Sequence, residues 1–227
     1  MAKSNAALPQ PVAQSLQKPT LRGVSHQIAF FIAAVAGFYL VSQAHDARAG
    51  QAAAIYTASL ATMFGASALY HRPTWSPRPR AWMRRLDHAA IFVLIAGTAT
   101  AFTLPITHGR PIALAVAWGG AAIGILLTLF WLRAPKAITV VIYIALGWTI
   151  LPFLPQLAHA IGRGGVLLLI LGGLLYSTGA VFYARKAPNP FPGIFGYHEI
   201  FHALVIAASV CHFVVVLFIL RSLRVAL

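Results

Sequence analysis

Five residues of this chain combine types and spacings that can do chemistry. Ser67 and His71 stand four apart, His198 and His202 stand four apart, and Asp87 opens a third apolar run. Four residues are about one helical turn, roughly 6 Å of rise, so each pair shares a helix face. Three neutral imidazoles from two helices match a catalytic zinc site, in which three protein ligands leave a fourth position for water. Asp87 would then orient or deprotonate that water, with the metal supplying most of the fall in its pKa. Ser67, one turn deeper than His71, would hydrogen-bond the water or a substrate oxygen. Histidines at a membrane interface also face headgroups or cap helices, and that plainer account serves for each of them taken singly.

A second pattern overlaps the first. His198-Glu199-Ile200-Phe201-His202 matches H-E-x-x-H, where two histidines hold zinc and the glutamate is the general base. An intramembrane metalloprotease would also need a carboxylate ligand from another helix, and Asp87 could be offered, but His71 fills the third position better. Glu199 reads chiefly as an acid at a helix N-terminus, interacting with the helix dipole and nearby basic loops.

Long apolar elements must carry these residues. Of 227 residues, 59% are hydrophobic and 9% charged, against roughly 25% charged in an average soluble domain. Three acidic and seventeen basic residues cannot build the polar shell of a soluble protein. The net charge of +14 is spread in short groups between apolar runs, which argues against a nucleic-acid binder. One cysteine, Cys211, excludes an internal disulfide and any Cys-rich metal site. Apolar runs of about 20 residues, enough to cross the bilayer core, fall at His26 to Ala44, Ala52 to Tyr70, Leu86 to Leu104, Ile112 to Leu132, Ala137 to Leu154, Gly164 to Ala184 and Tyr197 to Leu220. The expected fold is an all-α membrane protein, a seven-transmembrane helix bundle over residues 26–227, after a flexible cytoplasmic tail at residues 1–25.

Lys and Arg set the orientation. Lys3, Lys18, Arg22, Arg72, Arg78, Arg80, Arg84, Arg85, Arg133, Lys136, Arg185 and Lys186 fall on one side of the membrane, and Arg48, Arg110, Arg163, Arg221 and Arg224 on the other. The positive-inside rule then puts the N-terminus in the cytoplasm and the C-terminus outside, in a multi-pass protein of the cell (inner) membrane. In that arrangement His71 closes the second span on the cytoplasmic side, Asp87 re-enters from it, and His198 and His202 open the seventh span there. All five residues reach one depth. The inner-side basic residues are also expected to engage anionic lipid headgroups.

The other histidines carry less. His45, His108 and His159 fall in outer loops, His26 starts the first span beside the membrane surface, and His88 points away from Asp87 on its helix. His212 is ten residues past His202, about 15 Å by helical rise, too far for the same metal. It is expected as a buried, hydrogen-bonded residue. Gly119-Gly120 and Gly172-Gly173 suit close helix packing.

The sequence resembles the hemolysin III branch of the progestin and adiponectin receptor superfamily. Arg22-Gly23-Val24-Ser25-His26, Ser67-Ala68-Leu69-Tyr70-His71, Trp75-Ser76-Pro77 and Arg84-Arg85-Leu86-Asp87-His88 carry the likeness. It continues from Tyr183-Ala184-Arg185 through Pro188-Asn189-Pro190 and Phe195-Gly196-Tyr197-His198-Glu199-Ile200-Phe201-His202 to His212. The resemblance implies seven helices with a zinc ion near the cytoplasmic face, held by His71, His198 and His202, and with Asp87 and Ser67 beside its water. It also implies an activity akin to lipid-directed hydrolases, or a lipid-responsive regulator of membrane composition. Receptor relatives lack an acid at the position of Glu199. Thr98-Ala99-Thr100-Ala101 departs from the family's Thr-Tyr-Thr-Pro, which should straighten the third helix and reshape the cavity beside it.

The leading functional expectation is a zinc-dependent membrane hydrolase of a lipid amide or ester bond, with Asp87 and Ser67 catalytic and Zn2+ on the three histidines. The alternative is a non-catalytic lipid-responsive regulator with a structural zinc, and the third a pore or transporter. Membrane lipids are the expected partners, and nucleic acid is not.

Overall fold

A computed structural model describes residues 18–103, 109–131 and 135–225. Lys3 and most of the expected tail, Leu104, His108, Leu132 and Arg133 lie outside the described residues, as do the side chains of Lys136 and Arg224. Among the described residues no strand forms, and only an isolated bridge joins Phe191 to Phe195. The elements are α1 (Val24–Ser42), α2 (Ala47–His71), α3 (Pro77–Thr103), α4 (Arg110–Phe130), α5 (Lys136–Gly147), a 3-10 segment Trp148–Phe153, α6 (Leu154–Arg185) and α7 (Tyr197–Val225). Neighbours in sequence pack together, α1 on α2, α2 on α3, α3 on α4 and α6 on α7, while α1 also reaches α7 and closes the bundle.

The exposed surface is apolar. Phe31, Ile32, Val35 and Phe38 project from α1, with Phe38 80% exposed. A face of this kind is at home in hydrocarbon and would drive association in water. Among the described residues six helical segments are long and apolar enough to span a bilayer, one of them the 49-residue stretch Ala137–Arg185. Among the described residues the regular structure is therefore all-helical. The long stretch is not straight: Pro152 sits inside the 3-10 segment, and Gly162 breaks α6 at φ 64°, ψ −179°, a backbone state open to glycine and strained for other residues. Beyond the break the chain returns alongside α5, and the Trp148 Nε1–H donates to Ser177 Oγ at 3.0 Å.

Helix starts follow local chemistry. Asp46, which had no expected task, caps α2 by accepting from the Ala49 N–H at 2.7 Å. That bond holds its carboxyl below the usual carboxylate range. The third apolar run was expected to begin at Leu86, but the helix begins at Pro77 and takes in Arg78, Arg80, Arg84 and Arg85. Proline is well placed in a first helical turn, and long basic side chains reach water from the helix surface. The connection after α2 therefore shrinks to a few residues. Helix α3 also runs unbroken past Ala101 to Thr103, as the missing proline leads one to expect.

The helical glycines divide. A Cβ on Gly124 would overlap the Phe92 ring, and one on Gly172 would overlap His212, whereas Gly119 has nothing within 4 Å. Gly124→Ala should therefore cost about 1–3 kcal/mol through overpacking, while Gly119→Ala should be neutral or gain up to about 1 kcal/mol from helix propensity. Thermal melting of the two variants in detergent checks the contrast, and equal behaviour would contradict the packing described.

Candidate metal centre

Three helices converge at the basic end of the bundle. His71 closes α2, Asp87 lies on α3, and His198 and His202 occupy the first turns of α7. One nitrogen from each of His71, His198 and His202 can be chosen so that all lie within 4.8 Å of one another, and all three residues are buried. His71 Nε2 and His198 Nε2 are 3.1 Å apart. Two nitrogens held at about 2.0–2.1 Å by one tetrahedral ion stand roughly 3.3 Å apart, so the spacing fits a shared metal. Imidazole nitrogens are also the commonest protein ligands for such ions. This donor set accommodates a transition-metal ion.

Asp87 Oδ2 is 3.9 Å from His71 Nε2, and its carboxylate lies beside the Ser67 hydroxyl. All five residues singled out in the sequence thus meet at one place.

A sixth was missed. His26 is buried, stacked on His202 with ring centroids 3.7 Å apart and planes 10° from parallel. Its Nδ1 is 2.9 Å from Ser67 Oγ, while its Nε2 has no hydrogen-bond partner. The signal was available in part, because His26 starts its span at the same membrane face as the other five.

The approach of α1 depends on Gly23. It caps the helix at φ 81°, and a Cβ there would press on the His71 side chain. Residues 18–23, read as tail in the sequence, pack across the end of the site. Thr20 N donates to Gly193 O and Lys18 Nζ to Arg72 O. Partial burial, and then Arg72, Arg22 and Arg80, pull the Lys18 ammonium below its ordinary pKa.

Both carboxylate oxygens of Glu199 are engaged by groups other than the histidines. One carboxylate oxygen accepts from Arg22 Nε and the other from the Gly196 N–H at 2.8 Å. It serves as a helix-terminal acid with a cationic partner, and the H-E-x-x-H spelling carries no base toward the cluster. Of the remaining histidines, His212 bonds Leu169 O at 3.2 Å and is buried, His88 bonds Tyr183 OH, and His159 bonds Pro155 O. His45 lies against Asp46.

A cavity opens beside the cluster, among α2, α3, α5, α6 and α7. Ser67, Asp87, His198 and His202 line one end and His212 the other, with Leu94, Ala99, Phe102, Trp148 and Val205 between them. From His198 to His212 it follows about 21 Å of helical rise. Ala99 lies on its wall.

The family match spans all of these residues. The family model described as "Haemolysin-III related" matches residues 14–213. The Hemolysin-3 of Bacillus cereus is 31% identical over 215 residues, 91% of this chain and 94% of that protein. The Hemolysin-3 homolog of Bacillus subtilis (strain 168) is 32% identical over 166 residues, 72% of this chain and 75% of that protein. A heptahelical transmembrane protein of Oryza sativa subsp. japonica, ADIPOR2, is 29% identical over 152 residues, 58% of this chain and 65% of that protein.

Proposed function

This chain belongs to the haemolysin III-related family of the progestin and adiponectin receptor superfamily, and from that premise we propose that it is a zinc-dependent hydrolase of a lipid amide or ester bond. The observation that carries the reading is the meeting of three buried histidine nitrogens with Asp87 and Ser67 at the polar end of an apolar cavity. His71, His198 and His202 hold the ion, and zinc bound there supplies a lowered pKa for water and polarisation of a carbonyl.

The protein's own groups do the rest. The apolar cavity receives a hydrocarbon chain and keeps water from all but its polar end, so the carbonyl of the bound lipid comes to lie beside the histidines. Asp87 accepts the proton of the attacking water and returns it to the departing amine or alcohol. The Ser67 hydroxyl, oriented by His26 Nδ1, donates to the oxygen on which negative charge develops. His26 itself holds the His202 ring in place by stacking. His26→Ala should weaken metal binding about tenfold, toward the low end for partners that orient a ligand, as read by competition with a chelator. Unchanged affinity would remove His26 from the site.

A second reading has an observation of its own. The three histidines tie α2 to α7, so a metal there also fastens the bundle, as a lipid-responsive regulator with a structural zinc would need. Turnover of lipid amides and esters by the purified protein separates the two readings.

The bundle crosses the membrane seven times in this account, N-terminus in the cytoplasm. Supporting this, Ala137–Arg185 at 49 residues is about twice the length that one crossing needs, it breaks at Gly162, and its two halves lie side by side. The basic residues beside the metal centre support a cytoplasmic placement of that face, and the bacterial relatives support the cell membrane.

A further inference from the structure

The chain has three acidic side chains, and all are engaged away from Arg84 and Arg85. Asp46 caps α2 at the far end of the bundle, Glu199 is held by Arg22 and Gly196, and Asp87 faces His71 and Ser67. No ion pair among the described residues includes Arg84 or Arg85. These two arginines nevertheless line a cavity between α3, α4 and α5, separate from the one above. The Arg85 guanidinium lies 4.4 Å over the Trp82 ring, and its Nε is shielded from solvent without a hydrogen-bond partner. A shielded cationic donor left unpaired is costly, and the cost is recovered when an anion accepts from it.

The rest of the cavity says what kind of anion. Below the arginines its wall is apolar, formed by Phe92, Leu127, Ile138 and Ile142, with the Thr128 and Thr139 side chains also lining it. A free phosphate would leave that wall without a partner. An amphiphile satisfies both halves, and basic pockets between membrane helices suit lipid phosphates.

We propose that this cavity is a binding site for an anionic phospholipid, its phosphate on Arg84 and Arg85 and its acyl chain along the apolar wall of α3, α4 and α5. The site goes beyond the proposed hydrolase and does not depend on the metal. His88, Val140, Tyr143 and Tyr183 line both cavities, so a lipid seated here lies against the outer wall of the cavity that ends at the histidines.

The test titrates dioleoyl-phosphatidylglycerol and dioleoyl-phosphatidylcholine into the detergent-purified full chain, with retained lipid read by native mass spectrometry. Phosphatidylglycerol should bind at least tenfold more tightly. Arg84→Gln with Arg85→Gln should lose most of that preference, Arg78→Gln with Arg80→Gln should keep it, and equal inorganic phosphate should not displace the lipid. If the glutamine pair does not fold, Arg84→Lys with Arg85→Lys replaces it, and the preference should fall severalfold because lysine lacks the planar fork. Equal binding of both lipids, equal losses in the two arginine pairs, an undiminished preference in the lysine pair, or displacement by inorganic phosphate would each overturn the proposal. Zinc content measured in the same variants keeps the outcome separate from the fate of the metal centre.

Discussion

Asp87→Asn should lower lipid turnover by about two to four orders of magnitude, the span attributed to a positioned general acid or base, while metal content and melting temperature stay near those of the wild type. The substitution preserves shape and hydrogen-bonding capacity and removes only the ability to take a proton. Its position supports this division. At 3.9 Å from His71 Nε2 the carboxylate sits beside the three histidines, whose nitrogen cluster does not include it. Asparagine can still receive the Ser67 hydroxyl at its carbonyl, so the local network survives. Turnover measured on a panel of amide- and ester-linked lipids, with metal determined on the same preparation, gives the answer. Full turnover in the variant would sink the assigned base, and loss of metal along with turnover would make Asp87 a ligand.

The second large effect is on stability. Arg22→Met should destabilise the protein by about 3–5 kcal/mol, because it strands the buried Glu199 carboxylate without its cation. Glu199 is 4% exposed and Arg22 19%, so neither charge is well solvated in the pair. The ion pair joins the segment before α1 to the first turn of α7, one residue from His198, and its loss should also loosen the metal. The double variant Arg22→Met with Glu199→Met removes both charges and should recover much of the lost stability, since apolar replacements of buried pairs are often neutral or better. Melting in detergent of the two variants decides it. A single variant as stable as the wild type would show that the pair is solvated and of small consequence.

Much of this was legible in the sequence because membrane helices advertise themselves by uninterrupted apolar length. The histidine pairs were legible for a local reason: spacing of four on a helix fixes a shared face before any tertiary contact is known. His26 had no such partner in sequence. Its stack on His202 exists because α1 crosses the bundle to meet α7, and the close approach of α1 to α2 rests on the left-handed backbone of Gly23. Neither is a property of the residues flanking His26. The start of α3 was missed because its apolar run begins only at Leu86, whereas the prolines and arginines before it suit the opening turns of a helix that begins in water. The stretch from Ala137 to Arg185 shows the same limit in another form, since apolar length marks the two halves while the break itself lies in one backbone dihedral at Gly162.

Elemental analysis of the full chain, purified in detergent without chelators, tests the metal centre most directly. The expected result is about one zinc ion per chain in the wild type, lost in both His198→Ala and His202→Ala and retained in His159→Ala, whose side chain lies away from the cluster. A folded wild type that carries no transition metal, or histidine variants that keep it, would contradict the assignment of His71, His198 and His202 as ligands.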